Sequence, residues 1–425
     1  MSFDALSFRP QKIAIIGGGI SGLAAAYQLA PHHRVTLFEA EPRLGGHART
    51  VMAGLHGDQP VDTGFIVFNY ANYPHLTRMF RDLNVPVQKS DMSFGATIAG
   101  GRVEYGLRDA GAVFGQRRNL LRPGFAAMIR DILRFNARAE ETARDDSMTV
   151  AELLAEMRLG PWFRDYYLHP ICGAIWSTPP EDIARFPARA LLRFFRNHAL
   201  LSAQGQHQWW TVKGGSVQYV DRVEQFLRAE GVTIHTGTPI AAVRRSGPRP
   251  EVVTSVAPPE AFDQVILACH SDQALRLLAR PTWEELKALS AVRYQDNEMV
   301  LHRDPRQMPQ RRACWSSWVY QSDGRPRPKI GVTYWMNRLQ NIPEEDPLFV
   351  TLNPAQPVPE AATYDRKVFR HPVFDGPALA AQSRIAAIQG QNATWFAGAW
   401  LRHGFHEDGF ASAMRVVRQI DPALA

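Results

Sequence analysis

Apolar positions along the chain fall into blocks of two periods. Lys12–Ile16 (KIAII) is a short, largely apolar run of strand length, followed at once by the glycines of Gly17–Gly22 and the helix-like GLAAAYQLA. A second strand is predicted over Arg34–Phe38, a returning one over Val265–Ala268, and further β-like runs over Glu298–His302, Ile330–Trp335 and Leu348–Leu352. Between Gln116 and Arg144, the residues Phe125, Met128, Ile129, Ile132 and Leu133 recur at the spacing of one helical face, while Arg130, Arg134 and Arg138 repeat every four residues on another. The stretch from 73 to 205 reads as largely helical. Strand, helix and strand in alternation predict an α/β fold.

Length adds that 425 residues exceed one core, so two or three domains are expected. No apolar run approaches the ~18–20 residues of a membrane span, and the start, MSFDALSFRPQK, lacks a signal-peptide pattern, which together predict a cytoplasmic protein. Cys172, Cys269 and Cys314 stand far apart without CxxC spacing, so neither disulfides nor a metal site is expected. A net charge of +7 suits nucleic acid, an anionic membrane surface or an acidic substrate alike. No nucleic-acid-binding motif accompanies it, and no nucleic-acid partner is expected. The basic helix within residues 116–144 has two readings that are compatible: its apolar face packs inward, or it lies on an anionic bilayer.

The chemistry is concentrated at the amino end. In Gly17-Gly18-Gly19-Ile20-Ser21-Gly22 the first glycine permits a tight turn, Gly19 lets the backbone approach a pyrophosphate, and Gly22 lets the helix pack closely on the strand. Glu39 ends the second strand at the spacing where a carboxylate accepts from ribose hydroxyls, with Ala40 beside it. NAD and FAD both fit this much. The continuation, Pro42 to Thr50 (PRLGGHART), supplies a second glycine pair, Gly45-Gly46, flanked by basic Arg43 and His47. Val61-Asp62-Thr63-Gly64 adds another close-approach glycine. Near the carboxyl end, FAGAW and then GFHEDGFASA read as strand, glycine turn and helix, a helix start aimed at a flavin ring that would stabilise its reduced anion. NAD enzymes have no need of that return, and FAD is the cofactor expected.

Taken together, GGGISG, PRLGGHART, VDTGF and FAGAW…GFHEDGFASA resemble the flavin-containing amine oxidase superfamily, which also holds phytoene desaturases. VKGGS at 212–216 and VILA at 265–268 resemble internal segments of it. VDTGFIVFN, SDMSF, LRDILRFN, AIWSTPP, TYWMNRLQ, HPVFD and GFHEDG narrow the resemblance to a bacterial group associated with cyclopropane-fatty-acid-synthase-like methyltransferases. The resemblance implies a Rossmann-like FAD-binding domain made of residues 1–72, 206–275 and 391–425, interleaved with an α+β substrate domain of 73–205 and 276–390. It implies FAD contacts at Gly17, Gly19, Ser21 and Gly22 for the pyrophosphate and at Glu39 for the ribose. Arg43, Gly45, Gly46 and His47 follow on the next stretch, with Gly64 by the ring system and Ile240 at the adenine. Gly398, Ala399, Glu407, Asp408, Gly409 and Phe410 complete the implied pocket. Phe405 stands where amine oxidases commonly carry a cage tyrosine, a departure that argues against simple amine oxidation.

The implied substrate is a fatty acyl lipid, with a lipid methyltransferase as the implied partner. The expected reaction is desaturation of an unsaturated or methyl-branched acyl chain, by hydride transfer to flavin N5. Polyene or amine oxidation, a redox-neutral double-bond isomerisation and a non-catalytic flavin-binding role remain the alternatives. His406 is the acid–base candidate, and Trp400, Phe405 and Tyr334 are the rings that either wall the substrate or pack the core. His270, His169 and His403 are weaker candidates, and Glu407 and Asp408 have a competing role as helix caps.

Overall fold

The computed structural model describes residues 9–424 apart from 146, 177–182, 198–200, 202–206 and 325–328. The end of the AIWSTPP motif therefore lies outside the described residues. In chain order the strands that build the two main sheets are β1 (Lys12–Ile16), β2 (Arg34–Phe38), β3 (Phe94–Ile98), β4 (Val103–Gly106), β5 (Thr233–His235) and β6 (Gln264–Leu267). They continue with β7 (Arg293–His302), β8 (Trp318–Gln321), β9 (Gly331–Trp335), β10 (Phe349–Leu352), β11 (Thr363–Val373) and β12 (Thr394–Phe396). The helices used below are α1 (Ile20–Leu29), α2 (Pro123–Thr142), α3 (Trp283–Leu289), α4 (Gly376–Ile388) and α5 (His406–Ile420).

The first sheet is parallel, in the order β5-β2-β1-β6-β12. Its central strand is apolar on both faces because both are covered. Ile13 and Ile15 point into a core shared with Leu23 and Ala24 of α1 and with Ala413 and Val417 of α5. Ala14 and Ile16 point the other way, against Ala288 and Leu289 of α3 and Ala378, Ala381 and Ile385 of α4. Ala24, Ala25 and Ala26 are all fully buried, which brings α1 close to the sheet while keeping high helix propensity. Thus α3 and α4, which fall inside the 276–390 stretch assigned above to the substrate half, pack on the parallel sheet.

The second sheet runs β11-β7-β10-β9-β8-β3-β4, antiparallel except where β8 meets β3. The β-like runs read from the sequence are β7, β9 and β10. Strands β3 and β4 correct the helical reading of 73–205: Phe94, Gly95, Ala96 and Ile98 are buried, and β3 pairs with β8, more than 200 residues away.

Helix α2 begins at Pro123, whose missing amide hydrogen is no loss in a first turn. Phe125, Met128 and Phe135 enter the core under the second sheet, and Ile129 and Ile132 pack partly against it. Leu133, read as part of the same face, is 59% exposed. Among the described residues no helix is long and apolar enough to cross a membrane.

Candidate active site

The turn from β1 into α1 is built by clashes that only glycine avoids. Gly17 has φ +111°, donates its amide to the Phe38 carbonyl at 2.8 Å, and leaves so little room that a Cβ would sit 2.6 Å from the Ala268 oxygen. At Gly22 a Cβ would collide with the Gly17 carbonyl oxygen. Gly19 differs: its φ of −75° suits any residue, and a Cβ there would meet no heavy atom within 4 Å. Nothing in the chain's own packing requires that glycine, and the space beside it opens into a cavity. Helix α1 has no side-chain cap and no acid in its first turn, so its amides face that cavity with the positive end of the helix dipole. Glu39 lines the cavity and is oriented by the amides of Gly18 at 2.7 Å and Glu41 at 2.8 Å.

The second glycine pair closes over the first. Gly45 donates to the Gly18 carbonyl at 2.8 Å, and a Cβ on Gly46 would sit 3.0 Å from the Gly19 Cα. Arg43 does not line the cavity, contrary to expectation. Its guanidinium donates to the carbonyls of Leu44, Ala48 and Gly46 at 2.8–3.1 Å and so holds the glycine loop in shape from behind.

At the carboxyl end, Ser412 receives the Gly398 amide at 2.9 Å and donates to the Gly409 carbonyl, which also accepts from Ser21 at 3.0 Å. This ties α5 to α1. Asp408 takes the capping role at the start of α5, accepting from the amides of Phe405 and His403, while Glu407 accepts from the amides of His75 and Leu76 in the first turn of a neighbouring helix, Pro74–Asp82. Burial raises the Glu407 pKa to about 7 despite those two amides. Neither acid lines the cavity, and Gly22, Gly45, Gly409 and Phe410 also stand back from it, Phe410 in the core below. The remaining predicted residues, Gly17, Gly19, Ser21, Glu39, Ala40, Gly46, His47, Gly64, Ile240, Tyr334, Gly398, Ala399, Trp400, Phe405 and His406, all meet around one cavity of about 660 Å³.

His406 is the first residue of α5. Its ring stacks on Phe65 with centroids 3.9 Å apart and shares a 2.8 Å hydrogen bond with Tyr219, so it is held from two sides. Burial, with His47 adding repulsion, lowers its pKa to about 3. Trp400 is buried and donates to the Cys269 carbonyl at 3.1 Å, and Phe405 stacks on Phe194. Of the other histidines, His270 lines the cavity, while His169 and His403 do not. Sequence reasoning did not single out Phe65, Tyr219, Phe369, Arg370 or His371. His371 and Phe369 lie on β11, and the HPVFD motif was the one signal that pointed there.

A cavity with these features, lined by a helix amino end, a ribose-type acid and two glycine loops, has counterparts among known proteins. A model of the family of flavin containing amine oxidoreductases matches residues 20–310, well over half of the chain. The chain belongs to that family. Carotenoid phi-ring synthase of Streptomyces griseus is 27% identical over 290 residues, covering 63% of this chain and 54% of that protein. The Chlorobaculum tepidum protein of the same name is 28% identical over 54% of this chain and 37% of its own. The aligned stretch thus spans about half or less of these relatives. Among solved structures, the CLA-producing fatty acid isomerase from P. acnes superposes with a TM-score of 0.67 at 14% identity, covering 97% of this chain and 99% of that one. Cyclohexylamine oxidase from Brevibacterium oxydans gives 0.66 at 16%, covering 98% and 100%. At such identities the superpositions speak for the fold.

FAD is the cofactor of a chain in this family, and the cavity fits it. The open space at Gly19, the uncapped α1 amides and the oriented Glu39 carboxylate are what a diphosphate and a ribose require.

Proposed function

We propose that this protein is an FAD-dependent oxidoreductase that acts on the acyl chains of lipids, desaturating unsaturated or methyl-branched chains. The observation that carries the reading is the apolar wall that continues the cavity beyond the glycine loops. Ile66, Met92 and Trp209, with Tyr334, Val350 and Leu352 from the second sheet, line it, and none of these six side chains is charged. Among the described residues the one carboxylate on the cavity wall is Glu39, already oriented by two backbone amides, so a cationic amine finds no free counter-ion among them. The names of the relatives, a carotenoid synthase and a fatty acid isomerase, support a long hydrocarbon substrate.

When bound, FAD accepts a hydride, and the weakest C–H of such a chain is the one beside a double bond. The protein's own part is to seat the chain against a dry wall and to receive a proton. Removal of hydride leaves an allylic cation that sheds a neighbouring proton even to a weak base, so the neutral imidazole of His406 is sufficient, and Phe65 and Tyr219 fix where it stands. A second reading, double-bond isomerisation without net oxidation, is favoured by the fold shared with a fatty acid isomerase. Incubating the FAD-loaded protein with phospholipids carrying unsaturated or methyl-branched chains, and measuring acyl mass, separates the two. Loss of two hydrogens supports desaturation. An unchanged mass with a moved double bond supports isomerisation, and unaltered chains contradict both.

We propose further that the loop before α2 rests on anionic lipid. Leu120 and Leu121 are 63% and 86% exposed, with exposed Arg117 and Arg118 in the same 3-10 turn and exposed Arg130 and Arg138 further along α2. Flotation with anionic vesicles, weakened by salt and by Leu121→Glu, is the expected result. Equal binding to neutral vesicles contradicts it.

A further inference from the structure

We propose that His47, His270 and His371 form a proton-coupled clamp for the cofactor's diphosphate, taking up at least one proton as FAD binds, so that affinity for FAD rises as pH falls. This rests on the assignment of the cavity to FAD and is independent of the lipid substrate.

Three separate elements bring the imidazoles to the glycine turn. His47 follows Gly46, which abuts Gly19, and His270 lies two residues beyond Ala268, whose carbonyl abuts Gly17. His371 lies on β11 across the cleft. The ring centroids lie 6.1 Å apart for His47 and His270 and 5.9 Å apart for His47 and His371, and all three rings line the cavity with Gly17 and Gly19.

The charges around them leave room for a proton. Arg276 and Arg370 line the same region, but Asp272 pairs with both at 3.0 and 2.9 Å and Asp296 lies 3.4 Å from Arg370, so two cations face two carboxylates and contribute no net charge. The amino end of α1 adds roughly half a charge. Around His47, Arg43 and Lys367 are both paired with Glu41. Tyr294 stacks on His270 and Asn297 bonds to His371 at 3.1 Å, and neither brings charge. A diphosphate diester carries two negative charges, which exceeds what the fixed groups at the turn supply.

Without the dianion, burial and mutual repulsion hold the three rings neutral, with His270 lowered to about 4 and His371 to about 3. A dianion beside them raises those values again. Binding therefore takes up protons, and affinity is lost as pH rises through the bound-state pKa.

The test is titration of the apoprotein with FAD by flavin fluorescence from about pH 6 to about pH 8, with calorimetry in buffers of different ionisation enthalpy to count protons. One proton predicts a dissociation constant that grows roughly tenfold per pH unit. ADP-ribose, which carries the same diphosphate diester, is expected to share the slope, and riboflavin, which carries none, to lack it. The double variant His270→Gln/His371→Asn is expected to match the wild type near pH 8 and to lose the gain near pH 6, while Glu407→Gln keeps the slope. A flat profile with zero proton uptake, or an equal slope with riboflavin, overturns the clamp. Failure of both FAD and ADP-ribose to bind at any pH instead overturns the assignment of the cavity.

Discussion

Two glycines three residues apart in one motif are predicted to fail in opposite ways. At Gly19 an alanine Cβ meets nothing within 4 Å and the backbone, at φ −75°, accepts it. Stiffening the unfolded chain gains ~0.4–1 kcal/mol, while alanine at a helix N-cap costs a few tenths or more. The apoprotein of Gly19→Ala should therefore unfold within about 1 kcal/mol of wild type. The added methyl instead occupies space beside the α1 amides that the diphosphate needs. Overpacking of that kind costs ~1–3 kcal/mol, which at 1.36 kcal/mol per decade is a loss of about 5- to 150-fold in FAD affinity. At Gly22 the clash is with backbone, the Gly17 carbonyl, inside the folded chain. Gly22→Ala should lose apoprotein stability by ~3 kcal/mol or more, because neither partner is a flexible side chain. Urea unfolding of the apoproteins and fluorescence titration with FAD measure both quantities. Wild-type FAD affinity in Gly19→Ala, or equal destabilisation by the two substitutions, refutes the assignment of the space at Gly19 to the cofactor.

Other consequences follow from single contacts. Glu407 is raised from 4.5 to about 7 by burial, so its penalty is absent while both states are protonated and grows as pH rises from 4.5 to about 7. Relative to Glu407→Gln, the wild type should lose on the order of 3 kcal/mol between those limits. Unfolding curves that stay parallel across that range contradict this. Tyr219→Phe removes the hydroxyl that holds His406, and turnover should fall several-fold with FAD affinity unchanged. A loss of FAD binding with turnover per bound flavin intact would mean that Tyr219 serves the cofactor and not the histidine. Trp209→Glu places a charge in the apolar wall, and affinity for acyl substrate should drop while FAD stays bound. Unchanged saturation by lipid would show that this wall does not hold the chain.

Much of the first sheet was legible because its signals are local. β1, the glycine turn, α1 and β2 follow one another within thirty residues, and the Gly22 constraint comes from Gly17 in the same turn. Strand β3 was not legible, since its partner β8 lies more than 200 residues downstream and a short buried run carries no mark of such a partner, and among the described residues β4 pairs with β3 alone. Residue types also left roles undetermined. An acid at a helix start serves a cap or a pocket equally well; Asp408 caps its own helix, and Glu407 bonds to the first turn of the neighbouring helix Pro74–Asp82. Arg43 beside a glycine pair can face a ligand or the loop's own carbonyls, and it faces the carbonyls. His371 reaches the cavity only through the register of β11 against β7, where it lies opposite Gln295. Periodicity alone does not foretell that pairing.

The central claim is that this cavity holds FAD and passes it electrons from an acyl chain. The most direct measurement is the flavin absorbance of the FAD-loaded protein, mixed without oxygen with phospholipids bearing unsaturated or methyl-branched chains and then exposed to air. The account predicts bleaching of the flavin band on mixing and its return with air. A band unchanged by every such lipid, with FAD bound in stoichiometric amount, contradicts the desaturase claim.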